Sequence, residues 1–235
     1  MTERLFLEAS RLTRATARVI AVTAAGVLLD RTVFYARSGG QPGDTGMLRH
    51  GGGKIAVGEA VKDEGDAILH PVAAGAAVPA IGETVEIEID WPRRLGLMRM
   101  HTALHLLCSL IPGAAVTGGS IGLDRSRLDF DLPIAPAKDE LEARLNELIT
   151  QDHPVAAYWV DDAVLDADPG LVRTLSVKPP RGSGRVRLVR IGDQPIDLQP
   201  CGGTHVASTA EIGRMIVAKI ENKGRQNRRI VIVPA

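Results

Sequence analysis

Two short motifs with one spacing constrain this chain more than anything else in it: His101-Thr-Ala-Leu-His105 and Cys201-Gly-Gly-Thr-His205. Each sets two borderline or soft metal ligands four residues apart. Together they hold three of the six histidines and one of the two cysteines. One divalent ion, Zn²⁺ by its donor set, satisfies both motifs only if the fold carries two distant stretches to one place. The first motif lies in a helical pattern, where a turn of 3.6 residues puts both imidazoles on one face. Alone, that pair reads as readily as two partly buried helix histidines. The second motif follows Gln199-Pro200 and is not helical, and its glycines let the backbone turn close to an ion. The two together point to metal.

A Cys₁His₃ set can close a tetrahedral shell, which is the structural arrangement. Against that, a single thiolate leaves more positive charge on the metal than a cysteine-rich site and suits a Lewis acid. If one ligand yields, a position opens for water or substrate, and the catalytic reading is preferred. Zinc peptidases carry Glu after the first His as general base, but here Thr102 stands in that place. The base is then metal hydroxide, another residue or a hydroxyl of the substrate. An activated ester with a neighbouring ribose hydroxyl needs little more.

The rest of the chain says what surrounds this site. Its 235 residues suit one large domain or two small ones, with 45% hydrophobic and only 3% aromatic content. No apolar run reaches membrane-spanning length. The N-terminus lacks an h-region, so the chain reads as mature and cytoplasmic. Two cysteines make no disulfide framework, and Cys108 reads as a buried core residue. A formal net charge of zero argues against holding nucleic acid by bulk charge. Basic residues nevertheless gather in 171–190 and in 214–235. Such runs are commonly solvated faces, but beside a metal and a polyanionic substrate they matter more.

Residues 1–92 read as β-rich. Strands are expected over 14–22 and after Gly26, and Thr84 to Asp90 alternates apolar and acidic residues. Gly, Pro and Asp clusters punctuate the remainder, which suggests a small barrel or sandwich. The character changes at Asp90-Trp-Pro92, an N-cap followed by a first-turn proline. A helix is expected from there to about Leu110, ended by Pro112-Gly113. A second helix is expected over 137–150, with Leu141, Leu145, Leu148 and Ile149 on one face. Strands are expected over 155–160 and 185–191, and a hairpin over 214–233. Residues 93–235 therefore read as α+β.

In these residues the chain resembles the editing domain of alanyl-tRNA synthetase, above all the freestanding medium-length AlaX editing proteins. Its paired motifs are also similar to those of the threonyl-tRNA synthetase editing domain. Phe34-Tyr-Ala-Arg-Ser-Gly-Gly-Gln-Pro-Gly-Asp-Thr-Gly46 matches the family's glycine-rich motif. Thr117-Gly-Gly-Ser-Ile-Gly122 and Arg127-Leu-Asp-Phe130 match the segment after the first zinc helix, and 191–201 leads into the second motif as in the family. The stretch Gln194-Pro-Ile196 is slightly longer than usual and reads as a loop difference. No aminoacylation domain or ATP-binding motif is recognisable.

The resemblance implies a small β-barrel domain over 1–92. It implies an α+β editing domain over 93–235, with an antiparallel sheet and packed helices. It further implies trans-hydrolysis of mischarged tRNA(Ala), chiefly seryl and in some members glycyl. His101, His105, Cys201 and His205 would hold Zn²⁺. Thr117 matches a position near the bound amino acid, where a hydroxyl can select serine over alanine; the alternative is a turn-forming hydroxyl. Gly202 and Gly203 offer N–H groups to an oxyanion, or simply form the turn that holds Cys201. Gly39, Gly40, Gln41 and Asp44 of the glycine-rich stretch affect selectivity, unless Gln41-Pro-Gly-Asp44 is only a hairpin turn. Lys223, Arg225, Arg228 and Arg229, then Arg181 and Arg185, are the expected phosphate contacts. The competing readings are a non-catalytic zinc-stabilised tRNA-binding module and a metallohydrolase of another small ester or amide.

Overall fold

The computed structural model describes residues 1–173 and 184–235. The chain is α+β, with larger sheets that are antiparallel throughout. It divides into two compact units, Met1–Leu97 and Met98–Ala235. The division falls inside a helix, a turn beyond the change of character read near residue 92. Among the described residues no helix is long and apolar enough to cross a membrane.

In the first unit seven strands share a sheet: β1 (Arg14–Thr23), β2 (Gly26–Leu29), β3 (Gly46–His50), β4 (Gly53–Val57), β5 (Val61–Lys62), β6 (Ile68–Pro71) and β7 (Thr84–Ile89). Their order is β4-β3-β7-β1-β2-β6-β5. The alternation of β7 is realised residue by residue: Val85, Ile87 and Ile89 are buried, while Glu86 and Glu88 are not. The inward residues pack with Val19, Leu29, Phe34 and Leu48 into one apolar cluster. Outside, Glu88 pairs with Arg14 at 2.6 Å. The register of β1 on β2 slips between Val19 and Ala21, a bulge that bends the strand. Among the described residues no pairing joins β4 to β5. The closed barrel expected from the sequence is therefore not seen, because closure needs that last ladder.

The helix α1 (Trp91–Ser109) starts where the sequence places it. The Asp90 carboxylate accepts the Arg93 N–H at 3.2 Å, so Asp90 is the N-cap. In the second unit β8 (Ala115–Ser120), β9 (Ser126–Asp131), α2 (Lys138–Thr150), β10 (Val155–Asp161), β11 (Arg185–Ile191), β12 (Asp197–Pro200), β13 (Met215–Asn222) and β14 (Asn227–Pro234) follow. They form two sheets, β8-β9-β14-β13 and β10-β11-β12. The helix α2 buries Leu141, Leu145 and Ile149 on one stripe. It also covers the edge strand β13. Asn146 exchanges hydrogen bonds with the Met215 backbone at 2.8 and 2.9 Å, and Glu142 accepts the Val217 N–H at 2.9 Å. Satisfying edge N–H groups in this way removes a template for strand pairing.

Candidate metal centre

Helical spacing and one strand end build the site. His101 and His105 project from one face of α1, and Cys201 and His205 flank the turn that leaves β12. One ligand atom from each of the four lies within 4.8 Å of the others. The Cys201 Sγ is 3.5 Å from His101 Nε2 and 3.3 Å from His205 Nε2. A tetrahedral Zn²⁺ with bonds of about 2.05 Å to nitrogen and about 2.3 Å to sulfur sets an N···S edge of about 3.6 Å. The two Cys201 edges lie close to that value. One thiol hydrogen cannot serve two imidazoles at once, whereas one cation serves all four donors. The three histidines are 6–9% exposed, so the donors face one another and not solvent.

The protons on this cluster are unevenly placed. Burial raises the Cys201 thiol, but the charges of His101 and His205 outweigh it and hold the pKa well below the ordinary thiol value. Burial disfavours charge on His105, yet its hydrogen bonds to Asp197 and Cys201 outweigh this and raise its pKa to about 10. Burial, then repulsion from His101, push His205 well below the usual imidazole value. A thiolate beside a protonated imidazole is a site where a divalent cation displaces protons.

The surroundings set the geometry. Thr102 donates its hydroxyl to the Met98 carbonyl at 2.9 Å, so it accepts from His205 Nδ1 at 3.1 Å. That leaves His205 Nε2 unprotonated toward Cys201. The threonine at the place of the peptidase glutamate thus supports His205. Arg187, 5% exposed, donates to the Cys201 and Gly203 carbonyls at 2.8 and 3.0 Å and clamps the turn between them. The Gly203 N–H points to Cys201 Sγ at 3.4 Å, an engagement that competes with donation to an oxyanion. A side chain at Gly202 would meet nothing within 4 Å, so there is open space beside the thiolate. Asp197 accepts from His105 Nδ1 at 2.8 Å. The motif spacing gave no sign of Asp197. Its partner, a helix histidine ninety-two residues away in the chain, leaves no mark in the local pattern. Burial pushes the Cys108 thiol up to about 11, consistent with an inert core residue.

The other site residues fall into several places. Thr117 stands at a bulge in β8, between Val116 and Gly118. Its hydroxyl donates to the Asp129 carbonyl at 3.2 Å and accepts from Asn227 Nδ2 at 2.9 Å. Arg228 is 9% exposed and donates to the carbonyls of Pro133, Gly224 and Asn227, closing the β13–β14 turn. Its guanidinium is engaged with these carbonyls. Arg229 pairs with Asp129 at 2.8 and 2.9 Å. Lys223 and Arg225 are exposed on the turn itself. Arg185 lies over the Trp159 ring at 5.8 Å. Arg181 lies outside the described residues.

In the first unit, the tight turn of the glycine-rich stretch is Ser38-Gly39-Gly40-Gln41, not Gln41-Pro-Gly-Asp44. Ser38 and Gln41 exchange backbone hydrogen bonds, and Gly39 and Gly40 have φ of 56° and 83°. Two successive positive φ values define the turn that suits a hairpin and explain the paired glycines. Gln41 and Asp44 have no exposed surface. The Asp44 carboxylate binds the buried Arg94 guanidinium, whose Nε lies 3.0 Å from each oxygen, and accepts the Tyr35 N–H at 2.6 Å.

Comparison with known proteins supplies the relatives of this chain. Residues 4–93 match the family described as tRNA synthetases class II (A). Residues 186–231 match the threonyl and alanyl tRNA synthetase second additional domain. The chain is 40% identical over 215 residues to the alanyl-tRNA editing protein AlaX-M of Methanosarcina acetivorans, covering 87% of this chain and 86% of that protein. With AlaX-M of Saccharolobus solfataricus it shares 34% over 235 residues, 98% of each chain. An alanine–tRNA ligase of Pyrobaculum calidifontis is 37% identical over 232 residues, which are 94% of this chain and 25% of the ligase. The chain belongs to the AlaX-M family of alanyl-tRNA editing proteins.

Proposed function

We propose that this chain is a zinc-dependent deacylase that hydrolyses mischarged tRNA(Ala) in trans, chiefly Ser-tRNA(Ala) and also Gly-tRNA(Ala). The observation that carries the reading is the convergence of His101, His105, Cys201 and His205 in a chain whose relatives are named for alanyl-tRNA editing. The donor set of three imidazoles and one thiolate fits Zn²⁺. Bound there, the ion supplies Lewis acidity and lowers the pKa of water in its reach.

The chain's own residues supply the rest. The open space at Gly202 admits the ester beside the ligands, and the Gly202 N–H is the remaining candidate donor to its carbonyl oxygen. Thr117 uses its hydroxyl hydrogen on Asp129 and one lone pair on Asn227, so its second lone pair can accept a seryl hydroxyl. A donor matched to that lone pair is what alanine lacks. Lys223 and Arg225 suit phosphate contacts, which position tRNA without reading its sequence. Gly39, Gly40 and Gln41 act through the shape of the Ser38–Gln41 turn, and Asp44 through the Arg94 that it holds, since Gln41 and Asp44 are buried. Residues 1–92 serve as the β domain and 93–235 as the editing domain, in the cytoplasm.

One observation favours a second reading. Four protein donors close a tetrahedral shell, which is the signature of a structural site. Deacylation of Ser-, Gly- and Ala-tRNA(Ala), with metal content measured alongside, separates the two. Release of serine and glycine with alanine retained supports the editing reading. No release from any of them, with one zinc bound per chain, leaves the structural one.

A further inference from the structure

We propose that Asp197 is a positioning residue for the metal ligand His105, with Gln199 as its orienting donor and Arg173 as its charge partner. The proposal rests on the reading of the four-donor cluster as a metal site, and not on the reaction performed there. Asp197 is 3% exposed, and its Oδ2 accepts from His105 Nδ1 at 2.8 Å. Gln199 Nε2 donates to the same oxygen at 2.8 Å. The second oxygen, Oδ1, is buried without a hydrogen bond, and Arg173 Nη1 stands 3.8 Å from it. Asp197, Gln199 and Cys201 alternate along one strand direction, so one face carries a ligand and the support of a second ligand.

An imidazole that gives its Nδ1–H to a carboxylate is held in one tautomer and one ring orientation. Its Nε2 lone pair then faces the other three donors, and the carboxylate makes it a stronger base toward a cation. The supports of the ligands are unequal. His205 leans on Thr102, a neutral hydroxyl at 3.1 Å that is itself committed to the Met98 carbonyl. His105 leans on a buried carboxylate, and hydrogen bonds to an ionised partner are roughly twice as strong. Affinity for the ion therefore depends on Asp197 more than on Thr102. Arg173 also accepts the Val116 N–H on its carbonyl at 2.9 Å, one residue before Thr117. The support of the metal ligand and the strand of the proposed selectivity residue thus meet at Arg173.

The test uses the full chain loaded with Zn²⁺ and a chromophoric chelator as competitor. Asp197→Asn is expected to raise the Kd for zinc by about 10–100-fold, and Thr102→Val by several-fold less. Circular dichroism shows whether each variant is folded. If Asp197→Asn does not fold, the wild-type zinc form labelled with ¹⁵N-histidine decides. His105 is expected to show a protonated Nδ1 and a metal-bound Nε2. An Asp197→Asn Kd within about twofold of wild type, or His105 bound through Nδ1, overturns the proposal. So does a wild-type chain that binds no zinc. Lost deacylation with unchanged zinc affinity refutes the positioning role and leaves the editing reading standing. A wild-type chain that releases neither serine nor glycine, with zinc affinity lowered in Asp197→Asn, keeps the positioning role and removes the editing reading.

Discussion

Replacing Asp44 with alanine separates two jobs that the glycine-rich segment can have. If the side chain serves the fold, the loss appears in stability; if it serves the substrate, the loss appears in turnover. The carboxylate takes Arg94 Nε on both oxygens at 3.0 Å and the Tyr35 N–H at 2.6 Å. Without it Arg94, which has no exposed surface, keeps only the carbonyls of Ser10 and Val33, each at 2.7 Å. Removing one partner of a buried pair costs about 3–5 kcal/mol because the other charge stays behind. An orphaned buried N–H costs about 1–3 kcal/mol, and the two penalties overlap. A total of about 4–6 kcal/mol is a large part of the ~5–15 kcal/mol that holds a domain together. The midpoint of thermal unfolding should fall by on the order of 10 °C. Urea unfolding followed by far-UV circular dichroism measures the free energy directly. The double replacement Asp44→Leu with Arg94→Met removes both charges and should recover most of the loss. A loss below about 1 kcal/mol in Asp44→Ala, with serine release selectively abolished, would refute the structural assignment.

Other expectations are as specific. His70 is buried with a pKa lowered to about 4, because burial disfavours its charge. Above pH 6.5 the unfolded and folded chains are both neutral at this residue and stability is full. As pH falls from 6.5 to 4 only the unfolded chain gains the proton, so about 3 kcal/mol is lost. His70→Gln should flatten that part of the stability profile, and an unchanged slope would contradict it. Gly202→Ala meets no atom within 4 Å, so zinc content and melting point should match wild type while serine release falls. Equal activity would take the space at Gly202 away from the substrate. Thr117→Val should lower serine release by about 10-fold or more and leave zinc binding intact, whereas Thr117→Ser should retain most activity. Parallel loss of zinc and activity in Thr117→Val would make the residue structural.

Local patterns make part of this architecture legible in the sequence. The paired ligand spacing placed His101 and His105 on one helix face, and the structure joins them to Cys201 and His205. The Asp90 cap and the alternation of Thr84–Ile89 are also local, and both stand. What stayed hidden depends on long-range partners. Arg94 looks like one more basic residue of a helix until Asp44, fifty residues back, is seen beside it. Arg228 belongs to a basic run that reads as a solvated or phosphate-binding face, yet neighbouring carbonyls fold around it. Asp197 sat in a loop-like Asp-Gln-Pro-Ile-Asp stretch, with nothing in its spacing to match it to a helix histidine. Barrel closure is a property of the first and last strands of the order, which no single segment reveals. The glycine pair at 39 and 40 carried the turn chemistry, but Gln41-Pro-Gly-Asp44 competed with it on composition alone.

The most direct test of the account is single-turnover release of serine from Ser-tRNA(Ala) by the zinc-loaded chain, by the same chain stripped with chelator, and after zinc is restored. Rapid release, loss on stripping and recovery with one Zn²⁺ per chain are expected, with Ala-tRNA(Ala) spared throughout. Serine release that survives complete removal of the metal, or none from the zinc-loaded chain, would contradict it.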